Sequence, residues 1–215
     1  MPASTMTAYY QARAQEYERI YDKPERQADL ARLRDWLTEE TRGRTIIEIA
    51  CGTGYWTAVA APVARRIVAT DINSGPLAIA RAKDLGEHVM FREADAYDLP
   101  GGLGPFDMAM AHFWWSHVAI ADQPRFLRHV ASRLKTGARL VMIDNRYVEG
   151  SSTPLSRTDT EGNTYQTRTL ADETTHEVLK NFPSPADLQR TLGILAADVK
   201  VTEFDYYWGA RADLG

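Results

Sequence analysis

A short loop with two glycines, together with the segments on either side of it, constrains the fold of this chain most. The β-branched run Thr45–Ile47 predicts a buried strand, and Thr57–Ala61 predicts a helix. Between them lies the stretch EIACGTGYW, Glu48–Trp56. A strand that enters a glycine-containing turn and then opens a helix is typical of a nucleotide-binding α/β unit. Gly52 and Gly54 permit a tight turn and leave no Cβ between the backbone and a ligand.

Two features separate this loop from the version that binds dinucleotides. That pattern requires a third glycine or alanine where Thr57 stands, and Tyr55 and Trp56 are bulky where a pyrophosphate needs open approach. Glu48 also places a carboxylate on the strand, which repels phosphates and favours a ligand with an ammonium group. A nicotinamide oxidoreductase is therefore disfavoured.

The same residues resemble motif I of the class I S-adenosylmethionine-dependent methyltransferases, whose pattern is acidic-x-Gly-x-Gly-x-Gly. The chain departs from the pattern at Ala50, which replaces the first glycine. The resemblance implies an α/β fold with a Rossmann-like, seven-stranded, mostly parallel sheet and helices on both faces. It also implies S-adenosylmethionine as the cofactor, bound at this loop by Glu48, Ala50, Gly52, Gly54, Tyr55 and Trp56.

A second acidic residue follows the next predicted strand, Arg66–Asp71. Asp71 lies about twenty residues beyond the glycines, where a nucleotide-binding fold places a carboxylate that accepts the ribose hydroxyls. A solvated loop aspartate is the plain alternative. By resemblance to motif II, Asp71 would hold the ribose, with Ile72 and Asn73 beside the adenine.

A third acidic residue, Asp95, follows the predicted strand Val89–Ala94. By resemblance to motif III, Asp95 would accept a hydrogen bond from the adenine amino group, while the amide of Ala96 donates to the ring. Each of these signals is weak alone. Three acidic positions associated with three successive predicted strands form a specific constellation, which supports the cofactor prediction.

An aromatic and histidine-rich segment follows the fourth predicted strand, Pro105–Ala111. Ligands of open α/β sheets lie outside the carboxyl ends of the strands, so this segment should face the site, with Ala111 beside the cofactor. Phe113, Trp114 and Trp115 are predicted to hold the acceptor. His117, ahead of His112, is the predicted general base, with ordinary core packing and helix capping as the alternatives.

The N-terminal segment, about Ser4–Tyr21, predicts a helix with a tyrosine stripe, and a second helix is predicted from Pro24 to Glu40. The stripe either packs the helix on the domain or forms a lid, since N-terminal helices of the resembling family close over cofactor and substrate. In the lid hypothesis Tyr17 contacts the cofactor, and Tyr9 and Tyr10 contact the acceptor.

The fifth predicted strand, Ala138–Asp144, ends in an Asp-Asn pair that is similar to the magnesium site of catechol-type O-methyltransferases. Those enzymes add an aspartate where this chain has Ala111, so no metal site is predicted. The next side chains, Arg146 and Tyr147, are predicted to contact the acceptor. The polar segment 147–167 is predicted to be a functional loop.

The remaining elements complete a single predicted domain. They are a hairpin of 165–170 and 175–182 around a turn at 171–173, a helix over 185–195 and a last strand over 198–208. The domain divides into N-terminal helices or lid (1–42), a cofactor-binding core (43–146), and an acceptor-side insertion with the C-terminal strands (147–215).

Composition limits the class of protein. With 215 residues, 44% hydrophobic residues, net charge −4 and one cysteine, the chain suits one cytoplasmic domain, with no signal peptide, membrane span or disulfide framework expected. Dispersed basic residues argue against nucleic acid as the partner. The sequence predicts a monomer or homodimer that methylates a nitrogen or oxygen of a small aromatic, heteroaromatic or amine acceptor. The alternative is a catalytically silent protein that binds S-adenosylmethionine.

Overall fold

A computed structural model describes residues 3–170 and 172–215, and a seven-stranded sheet forms the centre of the molecule. In chain order the strands of this part of the chain are β1 (Thr45–Ile49), β2 (Arg66–Asp71), β3 (Val89–Glu93), β4 (Phe106–His112), β5 (Leu134–Asn145), β6 (Arg157–Thr158), β7 (Thr164–Thr169), β8 (Thr175–Leu179), β9 (Asp198–Glu203) and β10 (Tyr207–Asp213). The main sheet has the order β3-β2-β1-β4-β5-β10-β9. The first five of these strands run parallel, and β10 is antiparallel to both β5 and β9.

Helices cover the sheet and its carboxyl edge. The α-helices described are α1 (Ala3–Arg13), α2 (Gln27–Thr41), α3 (Tyr55–Ala60), α4 (Ser74–Arg81), α5 (Gln123–Ala131) and α6 (Pro185–Leu192). Short 3₁₀ segments span Ala14–Tyr21, Pro24–Arg26, Trp115–His117 and Ile120–Asp122. The prediction of a Rossmann-like α/β fold is confirmed. No helix among the described residues is long and apolar enough to cross a membrane.

The central strand β1 is buried on both faces. Ile47 packs in the cluster that contains Phe126 and Leu188, whereas Ile46 packs in the opposite cluster with Leu33. Successive side chains of a strand point to opposite faces, so a continuous apolar run is required when helices cover both faces. This requirement explains why the sequence signal at β1 is an unbroken β-branched run.

Three predicted boundaries differ from the structure. The helix predicted to reach Tyr21 leaves α-geometry after Arg13 and continues as a 3₁₀ segment. The inward spacing of Phe126, Leu127, Val130 and Leu134 predicts a helix from about Gln123 to Lys135. That helix ends at Ala131, because Leu134 already pairs with Phe106 in the sheet. The single last strand predicted over 198–208 is two antiparallel strands, β9 and β10, and Trp208 pairs back with Glu203.

The polar segment after β5 contains part of a second sheet instead of one long loop. Strands β6, β7 and β8 form an antiparallel sheet of their own, in which Tyr165 pairs with Leu179. The predicted hairpin of β7 and β8 is confirmed, although Ala171 in its predicted turn lies outside the described residues. The division of the chain into lid, core and acceptor-side insertion stays a prediction.

Candidate functional site

A cavity of about 260 Å³ opens at the carboxyl ends of β1, β2 and β4, beneath the N-terminal segment. Residues from distant parts of the chain meet there because parallel strands end at the same edge of the sheet. The predicted site residues that line the cavity are Tyr10, Tyr17, Ala50, Gly52, Asp71, Ile72, Asn73, Asp95, Ala96, His112, Phe113, Trp114 and His117.

The glycine loop has the left-handed backbone that its sequence predicts. Gly52 has φ +57°, and a Cβ added there would meet nothing within 4 Å, so the backbone faces open space. Gly54, with φ +76°, does not line the cavity. A Cβ added there would lie 3.0 Å from Ala80 of α4, so the absence of a side chain lets α4 pack closely against the loop. Ala50 has φ +52°, a conformation that costs an L-residue about 1–2 kcal/mol. The missing first glycine of the motif therefore has a conformational cost at Ala50.

Asp71 is fixed at the end of β2 by two backbone amides. Its Oδ2 accepts from the amide of Gly52 at 2.9 Å, and its Oδ1 accepts from the amide of Asn73 at 2.8 Å. Burial raises the pKa of this carboxyl above its usual value, and the two amides oppose that rise. Each carboxylate oxygen has a second lone pair, so Asp71 can accept further hydrogen bonds from a ligand in the cavity.

Asp95 and Ala96 lie in a turn just after β3. The Asp95 side chain is exposed at the rim, where its Oδ1 accepts from the amide of Tyr97 at 2.8 Å, whereas Ala96 is buried. This hydrogen bond orients the carboxylate without using its full acceptor capacity. Asp95 can therefore receive a donor group from a ligand.

Buried polar atoms without partners mark the inner wall of the cavity. Both ring nitrogens of His112 and the Nε1 of Trp114 have no hydrogen-bond partner among the described residues. Burial lowers the pKa of His112 to about 3, so the ring is neutral near pH 7. Buried polar groups are usually hydrogen-bonded, so these atoms are available to a ligand in the cavity. These atoms, the open backbone at Gly52 and the free acceptor capacity of Asp71 fit a nucleoside-type cofactor.

The N-terminal segment is bonded to the loops around the cavity. Gln11 Oε1 accepts from the amide of Gly75 at 3.1 Å, and Glu18 accepts from the hydroxyl of Thr53 at 2.7 Å. The ammonium of Lys83, two residues after α4, also bonds Glu18. Polar contacts therefore connect the N-terminal segment to the loops around the cavity, while Tyr21 packs in the core. The lid hypothesis stays a prediction.

His117 joins the N-terminal segment to the small sheet. Its Nδ1 lies 2.7 Å from the carbonyl oxygen of Leu179, which only accepts, so Nδ1 carries the proton. Its Nε2 then accepts from the hydroxyl of Tyr10 at 2.8 Å. Burial and the ammonium of Lys180 lower the pKa of His117 to about 3. A neutral ring whose lone pair is already engaged is a weak base, and the general-base role stays a prediction that this geometry disfavours.

The sequence analysis predicts that Glu48 binds the cofactor, but its side chain does not line the first cavity. Its carboxyl is buried between the sheet and α3, where Oε2 accepts from the hydroxyl of Thr57 at 2.6 Å. Burial raises its pKa to about 8, so it is mostly uncharged at neutral pH. Glu48 therefore supports the loop by binding Thr57, the residue that stands where the dinucleotide pattern has its third glycine.

We expect Glu48→Gln to change the pH dependence of stability. The folded pKa of about 8 exceeds the ordinary value of 4.5, so the folded state retains a proton that the unfolded state loses between these pH values. In the wild type, the contribution of this carboxyl to the free energy of unfolding is fully present below about pH 4.5. It decreases as the pH rises toward 8. Relative to wild type, the variant should gain ~3–5 kcal/mol in free energy of unfolding between pH 5 and 8.

Urea unfolding at both pH values measures this change in stability. The control is Glu149→Gln, which replaces an exposed glutamate. Parallel curves for wild type and Glu48→Gln would contradict the assignment.

Several aromatic residues predicted for the site belong to the packing around it. Trp56 is buried and donates its Nε1 to the hydroxyl of Tyr21 at 3.0 Å, and Tyr55 stacks on the Tyr21 ring at 3.9 Å. Trp115 packs against Phe126 in the core. Trp114 also contacts Phe126, but unlike Trp115 it lines the first cavity.

The other residues placed outside the first cavity have local partners. Ala111 is buried in the core, and Tyr9 is buried with its hydroxyl accepting from Arg13 at 2.8 Å. Arg146 donates to the carbonyl of Phe204 and pairs with Glu203 at 3.2 Å, which turns it toward the turn between β9 and β10. Tyr147 is exposed and its ring contacts Phe182. These four placements differ from the predicted ligand contacts.

Asp144, at the end of β5, is bound by protein groups. Its Oδ1 accepts from the ammonium of Lys180 at 3.1 Å and from the amide of Asn145 at 2.7 Å, and its Oδ2 accepts from the amide of Ser116 at 2.9 Å. Burial alone would raise the pKa of Asp144, but Lys180 holds it below its usual value. Within the described residues no group of three or more His, Cys, Asp or Glu side chains is arranged to hold a metal ion.

A second, smaller cavity of about 100 Å³ adjoins the first. Tyr10, Tyr17, Phe113 and His117 line both. Its other walls carry a set of basic side chains that the sequence analysis did not identify, namely Arg13, Lys23, Arg26, Arg168 and Lys180. These residues lie on four separate segments, so no spacing pattern in the sequence connects them.

The first cavity also has lining residues that the sequence analysis missed. From the small sheet come Tyr165, Glu177 and Leu179, and from the segments after β3 and β4 come Tyr97 and Asp122. The small sheet reaches the site because Asn181 donates from its amide to the carbonyl of Ser116 at 2.8 Å. This contact, together with the bond from His117 to Leu179, places the small sheet beside the site, and no local sequence pattern predicts either one.

Comparisons with known proteins agree with this geometry. Residues 46–137 match a family model described as a methyltransferase domain. A demethylmenaquinone methyltransferase of Clavibacter sepedonicus is 32% identical over 103 residues, 47% of this chain and 41% of its own. A probable S-adenosylmethionine-dependent methyltransferase of Mycobacterium tuberculosis is 30% identical over 148 residues, 65% of this chain and 48% of its own. The chain thus spans less than half the length of these curated relatives.

Two solved structures match over nearly the whole chain. The DhpI–SAH complex has a TM-score of 0.80 and 28% identity, covering 99% of this chain and 96% of its own. The complex of DhpI with SAM and HEP has a TM-score of 0.81 and 27% identity, covering 97% and 95% of the two chains. The fold, the acidic strand ends and these matches point to one family.

Proposed function

Since the chain belongs to the class I S-adenosylmethionine-dependent methyltransferases, we propose that it transfers the methyl group of S-adenosylmethionine to a small-molecule acceptor. The observation that carries the proposal is the position of Asp71, held by the amide of Gly52 at the wall of the first cavity. Two adjoining cavities support a reaction with two ligands, and DhpI has been solved with both SAM and HEP.

Cofactor binding is assigned to the larger cavity. Asp71 would accept from the ribose hydroxyls, Asp95 from the adenine amino group, and the backbone at Gly52 would approach without a Cβ in the way. Tyr17 and Phe113 supply aromatic surface, which attracts a cationic ligand by about 2 kcal/mol when the cation is desolvated. When bound, S-adenosylmethionine supplies a methyl group on a sulfonium centre that is already a good leaving group.

The protein contributes mainly by aligning its ligands. Correct alignment is worth on the order of 7–11 kcal/mol when the reacting atoms are well held. Phe113 has φ +57°, an unusual backbone for a bulky residue, at the boundary of the two cavities. Such strain is retained where surrounding contacts enforce it, and here the amide of Phe113 donates to the carbonyl of Ile143 at 2.7 Å. We therefore assign Phe113 to positioning the acceptor against the cofactor.

The acceptor is proposed to react through an oxygen or nitrogen atom. The sequence analysis included an amine among the predicted acceptors. A cationic amine is disfavoured as the acceptor because the basic side chains of the second cavity would repel it. Tyr10 and Trp114 remain available to contact an apolar or planar part of the acceptor. An acceptor that arrives ionised requires no base, which agrees with the low pKa of His117.

Mass spectrometry with deuteromethyl-labelled cofactor tests the proposal. Purified protein and labelled S-adenosylmethionine are incubated with small-molecule extract, and new species with the isotopic mass shift are identified. Labelled small molecules that disappear when Asp71→Ala replaces the wild type would support the proposal. Tight cofactor binding with no labelled product would instead support a silent binding protein, whereas absence of cofactor binding would reject both.

We expect His117→Gln to retain most of the turnover. Glutamine can still accept from Tyr10, and the loss of one neutral hydrogen bond costs about 1 kcal/mol, so kcat should fall less than about tenfold. With its pKa near 3, His117 should produce no acidic limb between pH 5 and 8. The pH profile of kcat measures this, with His88→Gln as control because His88 bonds Ala61 away from the site. A loss of about 10² or more, with removal of an acidic limb near pH 6.5, would restore the general-base assignment.

A further inference from the structure

The second cavity has a strong excess of positive charge. Arg26 and Lys180 are buried, and Arg13, Lys23 and Arg168 are partly buried, yet no Asp or Glu is among the described residues that line it. Lys180 is neutralised by Asp144 behind it, at 3.1 Å. The other four have no carboxylate within ion-pair distance in the part of the chain that the structure describes.

The partners of these four cations are neutral oxygens. Lys23 donates to the carbonyl of Ser151 at 2.7 Å, and Arg26 donates to the hydroxyl of Ser151 at 2.9 Å. Arg168 donates to Gln166, and Arg13 donates to the hydroxyl of Tyr9. Glu25 is the nearby acid, but it is exposed and accepts from the Ser151 hydroxyl outside the lining. Neutral partners orient the cations and leave their charge uncompensated.

This arrangement is unfavourable without an anion. Burial lowers the pKa of Arg168 and of Lys23, and neighbouring cations lower each of them further. Like charges brought together out of water destabilise a fold unless a counter-charge is present. The same region holds Ser152 and Thr153, whose polar groups also suit an anion.

We propose that the second cavity binds a phosphate or phosphonate group of the acceptor. A tetrahedral oxyanion with two charges presents oxygens in several directions and can contact cations from α1, from the segment before α2 and from the small sheet at once. A carboxylate is planar and carries one charge, so it would leave most of these cations unpaired. The guanidinium groups match oxyanions by paired N–H bonds.

The position of the cavity makes this anion part of the acceptor. Tyr10, Tyr17, Phe113 and His117 separate the two cavities and line both, so a group bound to the cations lies next to the cofactor cavity. This inference rests on the proposed function. It adds that the acceptor is an anionic small molecule held by its phosphoryl-type group.

Calorimetric titration of the protein saturated with S-adenosylhomocysteine tests the inference, because the cofactor cavity is then filled. Inorganic phosphate and methylphosphonate are the probes, and acetate is the planar monoanion. We expect both tetrahedral probes to bind and acetate to bind at least about tenfold more weakly. Arg168→Gln and Lys23→Gln should each weaken phosphate at least about tenfold, since hydrogen bonds to charged groups contribute more than neutral ones. Arg168→Lys should retain part of the affinity.

Matched controls separate a specific site from general charge effects. Arg42→Gln and Lys200→Gln remove exposed cations far from the cavity and should leave phosphate binding unchanged. Circular dichroism of every variant reports folding. Equal phosphate affinity in wild type and Arg168→Gln, or acetate affinity equal to that of phosphate, would overturn the inference.

Two further outcomes distinguish this inference from the proposed function. Phosphate that binds only when S-adenosylhomocysteine is absent would mean that the cations hold the carboxylate of the cofactor, which overturns the inference alone. Methyl transfer to an uncharged acceptor, unchanged in Arg168→Gln, would likewise reject the anion site and leave the proposed function standing. Phosphate binding without cofactor binding would reject the proposed function and leave the anion site.

Discussion

Replacing Asp71 with alanine should lower the affinity for S-adenosylmethionine by at least about tenfold. The carboxylate is assigned to two ribose hydroxyls, and hydrogen bonds to a charged group are worth about 1.5–3 kcal/mol each. Alanine also leaves the amides of Gly52 and Asn73 without their acceptor, so the loop that faces the cofactor loses its fixed geometry. Titration calorimetry measures the affinity, and Asp71→Asn, which keeps one carbonyl acceptor, should lose less.

The matched control is Asp107→Ala. Asp107 also accepts from a backbone amide, that of Thr45 at 3.1 Å, but it lies at the opposite edge of the same sheet. This variant should bind S-adenosylmethionine like the wild type. If Asp71→Ala binds with unchanged affinity while its circular dichroism matches the wild type, the cofactor does not use Asp71 and the assignment fails.

Lys180→Met should destabilise the fold by about 3–5 kcal/mol, because it leaves the Asp144 carboxylate buried without its counter-charge. The pair joins the small sheet to the end of β5, and Lys180 also donates to the hydroxyl of Ser116 at 2.6 Å. Its loss should therefore loosen the acceptor side of the site as well. Urea unfolding measures the free energy of unfolding.

Removing both charges should restore most of that stability. In the double variant Asp144→Asn/Lys180→Met neither charge of this pair remains, and such replacements are often close to neutral. Lys135→Met provides the control: in its ion pair with Asp107 the two side chains are 48% and 28% exposed, and exposed pairs contribute about 0–1 kcal/mol. A cost within 1 kcal/mol for Lys180→Met, or no recovery in the double variant, would contradict the assigned role of the pair.

The cofactor side of the site was predictable because its signals are local in sequence. Asp71 ends β2 and Asp95 lies in the turn just after β3, and parallel strands bring their carboxyl ends together. A residue's place at a strand end therefore predicts its place in the cavity. The direction of a side chain was harder to predict, and Glu48 shows why. It lies on the same face of β1 as Ile46, so its carboxyl meets α3 at Thr57 instead of the ligand.

The acceptor side depended on contacts between distant segments. Arg13 and Lys180 line one cavity although they lie near opposite ends of the sequence. Their charges carry no spacing signal, because α1 and β8 meet only when the small sheet packs on the end of β4. The strands follow from local hydrophobic patterns, and their order follows from the topology of the fold family, so both can be predicted from the sequence. The charge of the second cavity is the sum of side-chain charges from four segments, and only tertiary packing brings those segments together.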